Sequence, residues 1–372
     1  MSKLHASIAC NLDANILLAA LPLFEAEKVQ AIEWSFDALF KTREVPPWFT
    51  ALLSTYSKNN RLVGHGVFFS LFSGKWSPAQ QNWLDQLKRL SAVYQFDHIT
   101  EHFGFMTGAN FHQGAPISVP FNPVLLAIGQ DRLKRIQEAC QAPVGLENLA
   151  FAYSIDEVKR HGEFLDQLIA PINGFIILDL HNLYCQIHNF EIDFEDIIQL
   201  YPLEQVREIH ISGGSWEDSP LIPGKKIRRD THDDAVPQAV FDLLERTIPR
   251  CPNLKYIVLE QIGTGLKTEA SKRQFQQDFF KMEQIVQNKQ RSTTKDQHTF
   301  LPSQPFHLGK PLEDVILHAQ QLELSDILET ATDYQHAQQC LQASSLANSD
   351  WKIETWAPAM VETVLRIAQK WK

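Results

Sequence analysis

The sequence is short of cysteine pairs, of positive charge and of long apolar runs, and each shortage removes a class of protein. Five cysteines (Cys10, Cys140, Cys185, Cys251 and Cys340) are scattered over 372 residues without a Cys-x-x-Cys pair. Neither a disulfide framework nor a structural zinc site fits that scatter, and a reduced, cytoplasmic protein is expected. Lys and Arg number 34 against 44 Asp and Glu, a net charge of -10. Such a field repels a phosphate backbone, so nucleic acid is not an expected partner. No apolar run approaches the ~18 residues of a membrane span. Nor does the N-terminus show a basic segment, apolar stretch and small-residue cleavage site in series, so neither membrane nor export is expected.

What is present is alternation. Short apolar runs at 7–12, 29–36, 61–68, 96–103, 143–150, 174–183, 206–213 and 254–262 read as eight strands, each separated by room for a helix. Ser77-Pro78-Ala79 and Phe121-Asn122-Pro123 open helices with an N-cap and a proline in the first turn. Ser154-Ile155-Asp156-Glu157 opens another with acidic residues at the positive end of the helix dipole. Eight strand–helix repeats point to a closed (β/α)8 TIM barrel over residues 1–290. From Lys289 to Gln297 the chain turns polar and reads as a linker. Residues 291–372 then form a small helical C-terminal extension, with helical patterns at 312–319, 325–330 and 357–371. That appendage serves either as a packing element or as a docking module.

The polar residues that interrupt the strands carry the chemistry. Six successive strands end in His, Asp or Glu: His65, His102, Glu147, Asp179, His210 and Glu260. Asn182 follows Asp179 by three residues, and the loop before the last strand holds Asp230-Thr231-His232-Asp233. In a TIM barrel these ends converge on one mouth. Four carboxylates gathered there repel one another unless cations fill the centre. Mixed imidazole and carboxylate, without thiolate, suits iron, manganese or zinc. Nine ligand groups are too many for one ion and enough for two or three.

The order His65, His102, Glu147, Asp179, Asn182, His210, Asp230, His232, Glu260 resembles that of the xylose-isomerase-like barrels, endonuclease IV in particular, except that Asn182 stands where the latter has an imidazole. It resembles more closely the multinuclear non-heme iron-dependent oxidative enzymes (MNIO). The phrases His65-Gly66-Val67, Glu101-His102-Phe103, Leu146-Glu147-Asn148, Leu178-Asp179 with Asn182-Leu183-Tyr184, Glu208-Ile209-His210, Asp230-Thr231-His232-Asp233 and Leu259-Glu260 look like that family's signatures across residues 5–265. The resemblance implies two or three irons in mixed Fe(II)/Fe(III) states, dioxygen as co-substrate, and oxidative modification of a residue, often Cys, in a ribosomally made precursor peptide. It also implies a separate leader-peptide-binding partner protein. The nine residues above would be the metal ligands, with no catalytic residue apart from them. His65, His102 and Glu147 would form a two-His-one-carboxylate set, Glu147 would bridge to an ion held by Asp179, His210 and Glu260, and Asn182, Asp230 and His232 would hold a third.

Glu101, Asn148, His181, His188, Asp233 and Gln261 are candidates for supporting the ligands or touching substrate. His98 and His112 are further candidates for which packing is the plainer role. The family often has a His shortly after the Asn-x-Tyr segment and another after the seventh strand; here those stretches read His188-Asn189-Phe190-Glu191 and Ser212-Gly213-Gly214-Ser215-Trp216. The alternatives are a hydrolase of the endonuclease IV type, a sugar isomerase or epimerase, and a binding module without activity. The first needs basic gripping loops, for which Lys225, Lys226, Arg228 and Arg229 are the one compact cluster near the mouth. The second uses a catalytic Lys or acid and fewer ligands, and no Lys stands at a strand end.

Overall fold

The computed structural model describes residues 3–42, 44–106, 116–289 and 298–371; His112 and most of the expected linker lie outside them. Eight parallel strands close into a barrel in simple sequential order: β1 His5–Ala9, β2 Ala31–Trp34, β3 Leu62–Gly66, β4 His98–His102, β5 Val144–Glu147, β6 Phe175–Asp179, β7 Val206–Ile211 and β8 Tyr256–Leu259. β8 returns to pair with β1 through His5–Tyr256 and Ile8–Leu259, which removes both sheet edges. The strands are buried along almost their whole length because helices cover the outside and side chains fill the inside. Small and apolar residues (Ala9, Ala31, Val63, Tyr256, Val258) fill one part of the interior.

The three expected helix starts are found. Ser77 caps the helix Pro78–Val93 in a reciprocal capping box with Gln80. Asn122 caps Pro123–Cys140, and Ser154 caps Ile155–Ile169 with Asp156 and Glu157 in its first turn. One boundary differs. The apolar run 174–183 is a strand only as far as Asp179, whose carboxylate accepts from the Asn182 amide and starts the helix Leu180–Phe190. Hydropathy alone cannot mark that switch, because strand and helix are both buried.

After the helix Glu269–Asn288 the chain reappears at the N-terminal end of the barrel. There Phe300 packs on Phe175, ring centroids 5.6 Å apart, beneath the Arg207 guanidinium. It then passes Arg132, which donates to the Leu312 carbonyl, and reaches the opposite end. The helices Val315–Thr330, Tyr334–Ala343 and Pro358–Trp371 settle against loops on the mouth side. The Gln321 amide bonds both Gly74 N (2.8 Å) and Phe72 O (2.7 Å), and Trp356 stacks on Tyr153 at 3.7 Å. The expected helices at 312–319 and 325–330 are one helix, since nothing between them breaks it; Tyr334–Ala343, capped by Asp333, was not expected. All five cysteines are free. Among the described residues no helix is long and apolar enough to cross a membrane.

Candidate metal centre

The C-terminal strand ends bring six of the nine expected ligands into two sets that share Glu147: His65, His102 and Glu147, and Glu147, Asp179, His210 and Glu260. Within each set the ligand atoms lie within 4.8 Å of one another. His65 Nε2 and His102 Nε2 are each 3.4 Å from Glu147 Oε2, and His210 Nδ1 is 3.7 Å from Glu147 Oε1 and 3.3 Å from Glu260 Oε2. Neighbouring ligands on an ion with bonds near 2.1 Å stand roughly 3.0–3.4 Å apart, so the spacing is close to that of a coordination shell.

The imidazoles are oriented from behind. His102 Nδ1 lies 3.0 Å from the Gly66 carbonyl, which can only accept, so Nδ1 carries the proton and Nε2 offers its lone pair inward. The Thr100 hydroxyl donates to the Gly64 carbonyl and accepts from His65 Nδ1 at 2.8 Å, with the same result. His210 is turned the other way: Nε2 meets Glu33 Oε2 at 3.1 Å, and Nδ1 faces the centre. Asp179 spends Oδ1 on the Asn182 amide (2.6 Å), while its own backbone is held at both N and O by the Asn148 side chain. Asn182 points Nδ2 at the Asn148 carbonyl and toward Glu147 Oε1.

This leaves buried atoms with no hydrogen-bond partner around the ring: His65 Nε2, Glu147 Oε2, Asp179 Oδ2, Asn182 Oδ1 and His210 Nδ1. Unsatisfied buried polar atoms are costly. Such atoms gathered at one end of the barrel fit the donor chemistry of a metal. Without a cation the ring holds protons. Burial, aided by the Asp230 charge, pushes Asp179 up to about 7, and burial pushes Glu147 well above the carboxylate range. His65 and His102 go down, mainly through burial. His210 and His232 resist burial and stay protonated beside Glu33 and Asp230.

The remaining candidates separate cleanly. Asp230 and His232 pair with each other at 2.8 Å, and His232 Nδ1 reaches Glu260 Oε1 at 3.3 Å, which joins the pair to the second set through Glu260. His181 donates to Asp230 from behind (2.8 Å), and Asn148 supports Asp179. Glu101 does not face the ring; its carboxylate accepts from the Phe69 and His102 amides and shapes the loop after β3. His98 lies a layer below, between Asp97 and Glu208. His188 stands edge-on to Trp216 at the surface, and Asp233 is exposed beside Thr231. Gln261 is buried just after Glu260. Where the resemblance placed a further His, Gly214 instead passes His181; a Cβ there would sit 2.8 Å from His181 Cε1. The basic cluster is partly tied up: Arg228 is buried and Arg229 pairs with Glu217.

Three supporting residues were missed by the sequence reading: Glu33, Glu208 and Arg228. Glu33 had a signal, as the one acidic residue inside the apolar run 29–36. Arg228 had none, because its burial depends on a hairpin, Trp216–Asp218 with Lys226–Arg228, that the barrel pattern does not announce.

Among solved structures the chain is similar to an L-ribulose 3-epimerase (TM-score 0.47, 11% identity, 78% of this chain and 96% of that one). It is also similar to a xylose isomerase-like TIM barrel protein from Mycobacterium smegmatis in complex with magnesium (TM-score 0.46, 12%, 76% and 97%). These are likenesses of fold only. Curated relatives include UPF0276 proteins of Acaryochloris marina (27% identical over 189 residues) and Caulobacter vibrioides (25% over 188). Each match takes in 50% of this chain and 64% of the relative, so less than two thirds of their length is spanned. Residues 27–264, well over half the chain and all of the expected ligands, match the RiPP precursor modification enzyme MbnB/TglH/ChrH, and the chain belongs to that family.

Proposed function

We propose that this chain is a multinuclear iron enzyme that uses dioxygen to modify a residue, in the first instance a cysteine, of a ribosomally synthesised precursor peptide in the cytoplasm, with a separate protein presenting the leader. The observation that carries the proposal is the ring of buried, converging lone-pair atoms without partners, in a chain of a precursor-modifying family.

His65, His102, Glu147, Asp179, Asn182, His210, Asp230, His232 and Glu260 would hold two or three irons. Iron bound there supplies Lewis acidity toward a substrate thiol and electrons for the reduction of dioxygen. The chain's own part is positional. Glu147, with one oxygen toward each set, would be the ligand that the two sets share. Thr100, Gly66 and Glu33 fix the tautomers, so that each imidazole meets a cation without first rotating. The ring is open on one side only: the side chains of His102, Asp230, His232 and Glu260 keep 16–25% of their surface, whereas His65, Glu147 and His210 keep 0–3%. Substrate therefore enters over the four exposed ligands, and water is excluded from behind.

The test is to purify the protein without air, measure its iron, and incubate it with its precursor peptide and leader-binding partner with and without oxygen. A peptide mass change that requires both iron and oxygen is expected. Turnover that persists under argon or after chelation would contradict the reading.

A further inference from the structure

Arg228 is an unusual cation. It is 3% exposed, has no carboxylate partner among the described residues, and its Nη2 has no hydrogen-bond partner. A guanidinium is not buried unpaired without structural reason. It is nevertheless tightly held. Its backbone N donates to Asn189 Oδ1 at 2.8 Å and its carbonyl accepts from Asn189 Nδ2 at 3.0 Å, locking the hairpin to the helix Leu180–Phe190. The guanidinium carbon lies 5.6 Å from the Tyr184 ring centre and 5.1 Å from that of Trp216, a cation–π contact on each.

What this clasp presents inward is one N–H. Arg228 Nε donates to His181 Nε2 at 3.0 Å. A guanidinium can only donate, so Nε2 must carry the imidazole lone pair and Nδ1 the proton. Nδ1 lies 2.8 Å from Asp230 Oδ1, and donates to it. His181 is fully buried, with Gly214 passing against its Cε1, so the ring has no room to turn. Asp230 Oδ1 thus meets a fixed donor in His181, and the same oxygen lies 2.8 Å from His232 Nε2.

We infer that Arg228 is a positioning residue for the metal centre, setting the tautomer of His181 and through it the carboxylate of Asp230. The inference rests on the reading of Asp230 as a metal ligand. Replacing Arg228 by Lys keeps the charge but not the planar Nε–H, and leaves His181 Nε2 without its fixed donor.

The experiment compares wild type, Arg228→Lys and Trp216→Leu, the last altering only a half-exposed face of the clasp. Each is loaded anaerobically with 57Fe(II), its iron affinities are measured by chelator competition, and its iron sites are resolved by Mössbauer spectroscopy. Arg228→Lys is expected to weaken one iron equivalent by about 10–100-fold and to change one sub-spectrum, the others remaining as in wild type. Trp216→Leu is expected to weaken the same equivalent less. In the metal-free proteins, 15N-histidine NMR should show His181 as the Nδ1–H tautomer in wild type and as a mixture in Arg228→Lys. Wild-type affinities, a uniform loss of every equivalent, or an unchanged tautomer would overturn the inference. Should Arg228→Lys not fold, unchanged iron binding by Trp216→Leu would overturn it. A wild-type chain that takes up no iron defeats the proposed function instead, and the tautomer result then decides the Arg228–His181 relation separately.

Discussion

Two polar layers lie one above the other inside this barrel, built from the same residue types. Toward the N-terminal ends of the strands, Asp97 accepts from His98 (2.9 Å) and Arg207 (2.8 Å) and pairs with Lys255, and His98 meets Glu208 at 2.5 Å. Against burial, these partners hold Asp97 well below the usual carboxylate range, and His98 together with His210 brings Glu208 down to about 2. Toward the C-terminal ends, the ligand ring has no Lys or Arg partner among the described residues; imidazoles draw Glu260 and Asp230 down, while burial drives Glu147 and Asp179 up. The lower layer is balanced by Lys255 and Arg207, which cannot leave; the upper layer has only the imidazoles of His210 and His232, which can give up their protons to a metal. Burial alone therefore does not mark out the upper layer, whereas burial without a permanent cation does. His210 stands at the junction, with Glu33 and Glu208 beneath it and Glu147 and Glu260 beside it.

Substitutions should separate the layers. The largest effect is expected for Glu147→Gln, which keeps shape and removes the shared ligand: iron affinity should fall by more than about 100-fold, beyond what supporting residues cost. Because burial already favours the neutral form of Glu147 in the metal-free ring, chelator-treated protein should change in stability by less than about 1 kcal/mol in urea unfolding. Asp97→Asn should do the opposite. It strands Lys255, Arg207 and His98, and should destabilise the fold by about 3–5 kcal/mol while the folded protein retains its iron. Equal iron loss in both variants would erase the distinction.

Two finer tests follow from proton and tautomer placement. Asp179, raised to about 7, and Glu147, raised by burial well above the carboxylate range, must release protons to take a cation. Iron uptake should therefore fall as the pH drops through about 7, by about tenfold per pH unit for each proton displaced, with proton release visible in buffer-dependent calorimetry. Uptake independent of pH between 6 and 8 would contradict the assigned protonation. Thr100→Val removes the hydroxyl that orients His65 and should weaken iron about 10-fold, a smaller loss than any ligand substitution.

The upper layer was more legible in the sequence than the lower. Strand ends that interrupt apolar runs with His, Asp or Glu declare themselves, because a buried strand otherwise excludes them. His65, His102, Glu147, Asp179, His210 and Glu260 were each visible in this way, and the structure gathers them. Glu33 and Glu208 lie within strands at interior positions, and only the register of β2 and β7 brings them under His210. Glu101 was visible beside His102; because adjacent residues on a strand face opposite sides, its carboxylate turns to the loop after β3 and holds the Phe69 and His102 amides. Arg228 and the helix Tyr334–Ala343 depend on tertiary packing over long separations, which periodicity does not encode.

The account turns on the upper layer's need for cations, and iron content tests it most directly. Protein purified without air should carry two or more irons per chain by elemental analysis, and Glu147→Gln purified alongside should lose them. A wild-type chain that emerges folded, metal-free and indifferent to added iron would contradict the account.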